Sequence, residues 1–139
     1  MSDVPLSPTV LISNRQPDPI DEPGLIELAR RVLEGEGRTD AELSVSFVSP
    51  REMSELHERY TGEEGPTDVL SFAQEEDGLL GDVVIAPAVA QSHNPDVDSE
   101  LRLLLVHGIL HLLGYDHEKE AQRARMWARQ ERYTGVRVK

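Results

Sequence analysis

The 139-residue chain contains no cysteine. Disulfides and thiolate metal ligands are thereby excluded, so any metal site has to use histidine and carboxylate. Aromatics are few, 4% of residues with a single Trp, and the 38% apolar content suits a modest globular core. The longest apolar run, Leu103–Leu113, is interrupted by two His and a Gly. It falls well short of the roughly 20 residues that span a bilayer. The opening "MSDVPLSPTVLISNRQ" has no basic stretch leading into an apolar segment of signal length. A cytoplasmic protein with no membrane contact is expected. A net charge of −12 argues against loose electrostatic binding to nucleic acid, and no DNA partner is expected.

The charge that is present is uneven. Residues 118–139 hold seven Lys/Arg and three Glu, a local +4, whereas the first 117 residues sum to −16. Twelve of the fourteen cations are Arg, whose planar fork suits bidentate phosphate contacts. The plainer reading is a solvated basic helix balancing an acidic body.

The length fits one domain over 1–139. "VLIS" (Val10–Ser13) reads as a first strand, followed by a Pro- and Asp-rich loop. Leu25, Leu28, Ala29, Val32 and Leu33 recur at helical spacing, with Gly35 or Gly37 as the stop. "ELSVSFVS" alternates strictly and predicts a half-buried strand. "SPREMSELHERY" opens as a capping box, with Ser49 as N-cap and Glu52 three residues on. Strands are expected over Asp68–Phe72 and Asp82–Ala86, joined as a hairpin, with Pro87 closing the second. The main helix, capped by Asp96 or Asp98 and ended by Gly114, is apolar nearly all round. An amphipathic helix carrying Trp127 follows. This order, β-α-β-α-β-β-α-α, predicts an α+β fold: a small mixed β-sheet of about four strands packed with helices, one of them a buried helix bearing histidines.

That helix ends in "HGILHLLGYDH", His107 to His117. His107 and His111 are four apart and share a helix face. Gly114 permits the left-handed turn that lets His117 fold back and complete a three-imidazole set. Three imidazoles leave a fourth tetrahedral position open, as in catalytic zinc sites. The competing reading is a pair of buried, hydrogen-bonded histidines, but two imidazoles in so apolar a helix need polar partners. Zinc peptidases with this spacing carry Glu directly after the first His, as general base. Here that position is Gly108, which leaves room either for substrate beside the metal or for another element packed against the helix. Asp116 is either a cap for the last helix or an acceptor for a ligand imidazole. Glu118 and Glu120 suit the first turn of that helix. His57 and His93 lie outside the pattern and read as surface residues.

"HGILHLLGYDHE" resembles the signature of the YbeY-type endoribonucleases, the rRNA maturation factors. "GPTDVLSF" (Gly65–Phe72) and "LLGDVVIAP" (Leu79–Pro87) agree in order, and the resemblance covers roughly Leu43 to Glu131. It implies one Zn2+ per chain on His107, His111 and His117. It also implies single-strand RNA cleavage at the 3′ end of small-subunit 16S rRNA and in ribosome quality control. The implied partners are single-stranded rRNA, the ribosomal small subunit and its assembly factors. The chain departs from the family at Thr61, where the resemblance places an Arg, and Arg59, two residues earlier, is the expected catalytic substitute. Ala73 replaces a usual Pro, and the segments 72–81 and 87–101 are shorter than the resemblance implies. Two other readings stand beside it: a zinc hydrolase of another bond, related to peptidases, and a non-catalytic ribosome assembly factor with a structural zinc. A phosphodiester asks less of position 108 than a peptide does, since the neighbouring 2′-OH can itself attack. Arg125, Arg129 and Arg132 share one face of the last helix and suit an RNA backbone or a ribosomal surface.

Overall fold

The computed structural model describes residues 7–65, 67–76, 79–115, 118 and 120–135. β1 (Thr9–Asn14) and β2 (Glu42–Phe47) run parallel, with Val10 opposite Leu43 and Ile12 opposite Val45. Between them α1 (Glu22–Gly35) buries the five apolar residues that its helical spacing marks. Asp21 caps it by accepting the Gly24 N–H at 3.1 Å. The alternation of β2 is realised in full: Leu43, Val45 and Phe47 are buried, and the intervening residues are not.

α2 (Pro50–Thr61) begins with half of the capping box. Ser49 Oγ accepts the Glu52 N–H at 3.2 Å. The Glu52 carboxylate is instead engaged by the Arg15 guanidinium at 2.6 Å, which ties α2 to the segment after β1. β3 (Val69–Glu76) and β4 (Leu79–Ile85) form the expected antiparallel hairpin, and β4 then lies parallel to β2. The sheet is therefore mixed, in the order β1-β2-β4-β3, with β3 at an edge. Leu80 is an extra residue in β4, between the Glu42–Leu79 and Leu43–Gly81 pairs. A Cβ at Gly81 would meet the Phe72 carbonyl oxygen at 2.3 Å, so only glycine fits there.

A short helix, α3 (Pro87–His93), stands where the expected element order has none. Seven residues without a side-chain cap leave little local signal. α4 (Val97–Leu112) is capped by Asp96, whose Oδ1 accepts the Ser99 N–H at 3.3 Å. α5 (Glu120–Thr134) packs against it. Leu101, Leu104, Leu105, Val106, Ile109, Leu110 and Leu112 of α4 are buried. Each such side chain contributes about 1.5–3 kcal/mol on leaving water, against about 1 kcal/mol for a cap. Burial therefore dominates this helix. It meets the sheet face that carries Val45, Phe47, Val83 and Ile85, forming one apolar core. On the opposite face, α2 covers one part of the sheet, where Met53 and Leu56 join a smaller cluster with Val84, Leu70 and Phe72.

Candidate metal centre

His107 and His111 lie on the side of α4 that faces the edge strand β3. Their rings are 4.8 Å apart between centroids and meet edge to face at 74°. Both line a cleft of about 350 Å³, walled by Val69, Ser71 and Ala73 of β3 and by Leu112. Both rings are half-buried. Gln130 of α5, only 2% exposed, places Oε1 2.6 Å from His107 Nδ1. An amide oxygen only accepts, so the ring nitrogen is the donor. Nothing in the sequence motif names Gln130. The available signal is a polar residue in the buried stripe Met126, Gln130, Tyr133 of an otherwise solvated helix.

α4 ends as its glycine predicts. Gly114 takes φ +101 and donates to the His111 carbonyl at 3.0 Å, while Tyr115 N–H reaches back to the Leu110 carbonyl at 3.0 Å. This pair of bonds reverses the chain at once after the second histidine. The reversal is anchored by the Glu36 carboxylate, which accepts the phenols of Tyr115 and Tyr133 at 2.6 Å each. Arg129 Nε stands 3.8 Å from the same carboxylate. Burial raises the pKa of Glu36, but the two phenol hydrogen bonds and the Arg129 and Arg132 charges outweigh it and hold the group below its ordinary value. The Tyr133 phenol is pushed up to about 12 by burial first and then by its bond to Glu36. His117 and Asp116 lie outside the described residues.

Of the two readings of Gly108, the packing one holds. A Cβ there would lie 2.7 Å from Val83 Cγ1 and 3.1 Å from Ser71 Oγ. Ser71 Oγ donates to the Gly108 carbonyl at 3.1 Å, sealing β3 against the helix. The glycine serves this close approach, and its missing side chain would point at the sheet.

Arg59 is exposed in the last turn of α2, where its charge complements the helix dipole. It is not among the residues lining the histidine cleft. Its neighbour Tyr60 lines a larger groove of about 860 Å³ on the opposite face of the sheet, where no histidine stands among the described lining residues. Ser71 and Ala73 border both hollows. Size and chemistry thus point to different places, and the imidazoles favour the smaller cleft. Arg125 and Arg132 are exposed, while Arg129 turns toward Glu36. His57 departs from its expected surface role. Its side chain is 14% exposed, and Nδ1 bonds the Gly65 carbonyl at 2.9 Å, which holds the chain that follows α2. His93 is exposed as expected, 3.3 Å from Asp68.

A second donor set unites Asp68, His93 and Glu100, with ligand atoms all within 4.8 Å of one another. Glu100 lies seven residues before His107, roughly 10 Å along α4. Two carboxylates and one imidazole suit a harder cation than zinc, whereas imidazole nitrogens suit zinc. The histidine cleft is therefore the better fit for zinc. The two imidazoles stand side by side on one helix and face the cleft, and the bond to Gln130 puts the donor proton of the His107 ring on Nδ1.

Residues 11–135 match the family model described as endoribonuclease YbeY. The chain is 46% identical over 127 residues to a protein named endoribonuclease YbeY from Frankia casuarinae, which covers 78% of this chain and 63% of that one. A protein of the same name from Acidothermus cellulolyticus is 44% identical over 142 residues, 88% of this chain and 87% of that one. Among solved structures, the solution structure of TM1509 from Thermotoga maritima is similar, with a TM-score of 0.62 and 30% identity. That similarity covers 91% of this chain and 87% of the other.

Proposed function

This chain belongs to the endoribonuclease YbeY family, and from that premise we propose that it is a zinc-dependent endoribonuclease whose reaction takes place in the cleft between β3 and α4. The proposed substrate is single-stranded rRNA at the 3′ end of the small-subunit 16S species. The setting is the cytoplasm, with the ribosomal small subunit and its assembly factors as partners. The observation that carries the reading is the placement of His107 and His111 on one wall of a cleft, directly before a helix-ending reversal. One zinc per chain is assigned to His107, His111 and His117. Bound there, the ion would supply a Lewis acid for a phosphoryl oxygen and lower the pKa of a coordinated water.

The chain's own groups have separate tasks. His107 and His111 are held by a helix packed on nearly every side, so their geometry is set before substrate arrives. Val69 and Leu112 give the cleft apolar walls, which strengthen charge interactions inside it. Arg59, which stands outside the cleft lining on the far side of the edge strand β3, is assigned the stabilisation of charge developing on the phosphate, a role that requires the bound RNA to pass over that edge. Arg125 and Arg132 are exposed on the basic last helix and suit contact with an RNA backbone. The peptidase reading is disfavoured by one observation: a glutamate side chain at position 108 would have to occupy the space of Val83.

Elemental analysis of freshly purified protein tests the ligand set. One zinc per chain is expected, and His111→Ala should lose most of it. Unchanged metal content in that variant overturns the assignment. Wild-type protein should cut single-stranded RNA and stop with chelator, leaving peptides intact. Arg59→Ala should cleave more slowly with its metal retained; a wild-type rate would return Arg59 to its structural role at the end of α2.

A further inference from the structure

We propose that Gln130 is a positioning residue of the metal centre, whose buried amide oxygen holds His107 in the tautomer protonated on Nδ1. This rests on the reading of the β3–α4 cleft as a metal site.

α5 gives three residues to the buried side at i, i+4 and i+7: Met126, Gln130 and Tyr133. An aliphatic residue at the middle position would satisfy packing alone, since the neighbouring surface of α4 is leucine-rich. A buried amide is disfavoured there unless it finds a partner. Its oxygen lies 2.6 Å from His107 Nδ1, on the helix 23 residues earlier. A neutral imidazole donates from one nitrogen and offers a lone pair on the other. A free histidine side chain prefers to carry its proton on Nε2, which would turn an N–H toward a metal. The Gln130 oxygen reverses that preference: the proton stays on Nδ1 and the lone pair on Nε2 is presented for ligation. The bond also fixes the ring's rotation, because α5 is docked against α4. Glutamine does this without adding a buried charge.

Two substitutions separate this role from packing. Gln130→Met keeps the length and apolar stem but has no comparable acceptor; Gln130→Glu keeps an acceptor oxygen. Long-range 1H–15N NMR of the full-length, metal-stripped chain reads the His107 tautomer directly. Wild type and Gln130→Glu should show the proton on Nδ1, and Gln130→Met should shift it toward Nε2. Zinc affinity by chelator competition should fall about 10–100-fold in Gln130→Met and return in Gln130→Glu. A wild-type proton on Nε2, or equal zinc affinity in Gln130→Met, overturns the proposal. Should Gln130→Met fail to fold, the wild-type tautomer and the Gln130→Glu affinity still decide it. A wild-type chain that binds no zinc overturns the metal reading and this role together, whereas the wrong tautomer in a zinc-binding chain overturns the role alone.

Discussion

On the side of the sheet facing α1 and α4, Val10, Leu43, Val45, Phe47, Val83 and Ile85 are all buried. On the other side the same strands carry Ser13, Ser44, Ser46 and Asp82 around an open groove, and Leu11 is 52% exposed. The larger hollow is on the open side and the imidazoles are on the packed side. The difference is one of rigidity. A side chain on the open face has water and neighbouring hydroxyls as alternative partners. His107 and His111 project from a helix whose surroundings leave few alternatives, which is what a ligand set needs. Substitutions on the packed side should therefore cost far more than matched ones on the open side, and four measurements test that contrast.

The largest effect is expected from Gly108→Glu. Overpacking costs roughly 1–3 kcal/mol, so Gly108→Ala should lower the urea midpoint clearly. Gly108→Glu adds a buried, unpaired carboxylate and should leave little folded protein. Ser46→Val on the open face should change stability by no more than about 0.5 kcal/mol. Equal losses at the two positions would break the contrast. Next comes Glu36, which joins α1 to α5 and to the reversal after α4. Glu36→Ala removes the acceptor of two phenols and should cost about 1.5–3 kcal/mol in thermal or urea unfolding.

The same seam predicts a pH dependence. Tyr133 has a folded pKa raised to about 12, so its contribution is whole below the ordinary tyrosine value and is lost as pH rises through about 12. Glu36 has the opposite sign. Its folded value is lowered, so its contribution is whole above the ordinary glutamate range and is lost as pH falls through the lowered value. Tyr133→Phe should flatten the alkaline limb and weaken the acid limb in part, because one of the two phenol bonds that lower Glu36 is lost while that of Tyr115 remains. An unchanged alkaline limb would mean that the phenol is not held as described. The smallest effect is expected at Arg15→Ala. The Arg15–Glu52 pair is 45% and 33% exposed, and such pairs contribute about 0–1 kcal/mol, less in salt. A loss as large as that of Glu36→Ala would show that the open face is as tightly built as the packed one.

Much of the scaffold was legible because it is local. The alternation in β2, the five buried positions of α1, the Ser49 cap and the glycine that ends α4 follow from side-chain period and backbone freedom over a few residues. The histidine pair was legible for the same reason, since four residues is one helical turn. α3 was not, being short and without a side-chain cap. The capping box was legible only in half, because Arg15, 37 residues earlier in the chain, takes the Glu52 carboxylate. His57 read as a surface residue because its partner carbonyl at Gly65 lies beyond the end of α2.

The sequence by itself determined the four strands and the longer helices, the absence of thiolate ligands and the placing of His107 and His111 on one helix face, the elements and the pairing through interactions between near neighbours in the chain. Only the tertiary structure decided what those groups meet. It put Val83 and Ser71 against Gly108, so that the position of a peptidase base is closed by packing. It brought Gln130 to His107 across 23 residues and Tyr133 to Glu36 across 97. Such contacts depend on how α4 and α5 dock on the sheet and on each other, and that docking is the outcome of burying many apolar side chains at once. No periodicity in the chain records which polar group then faces which.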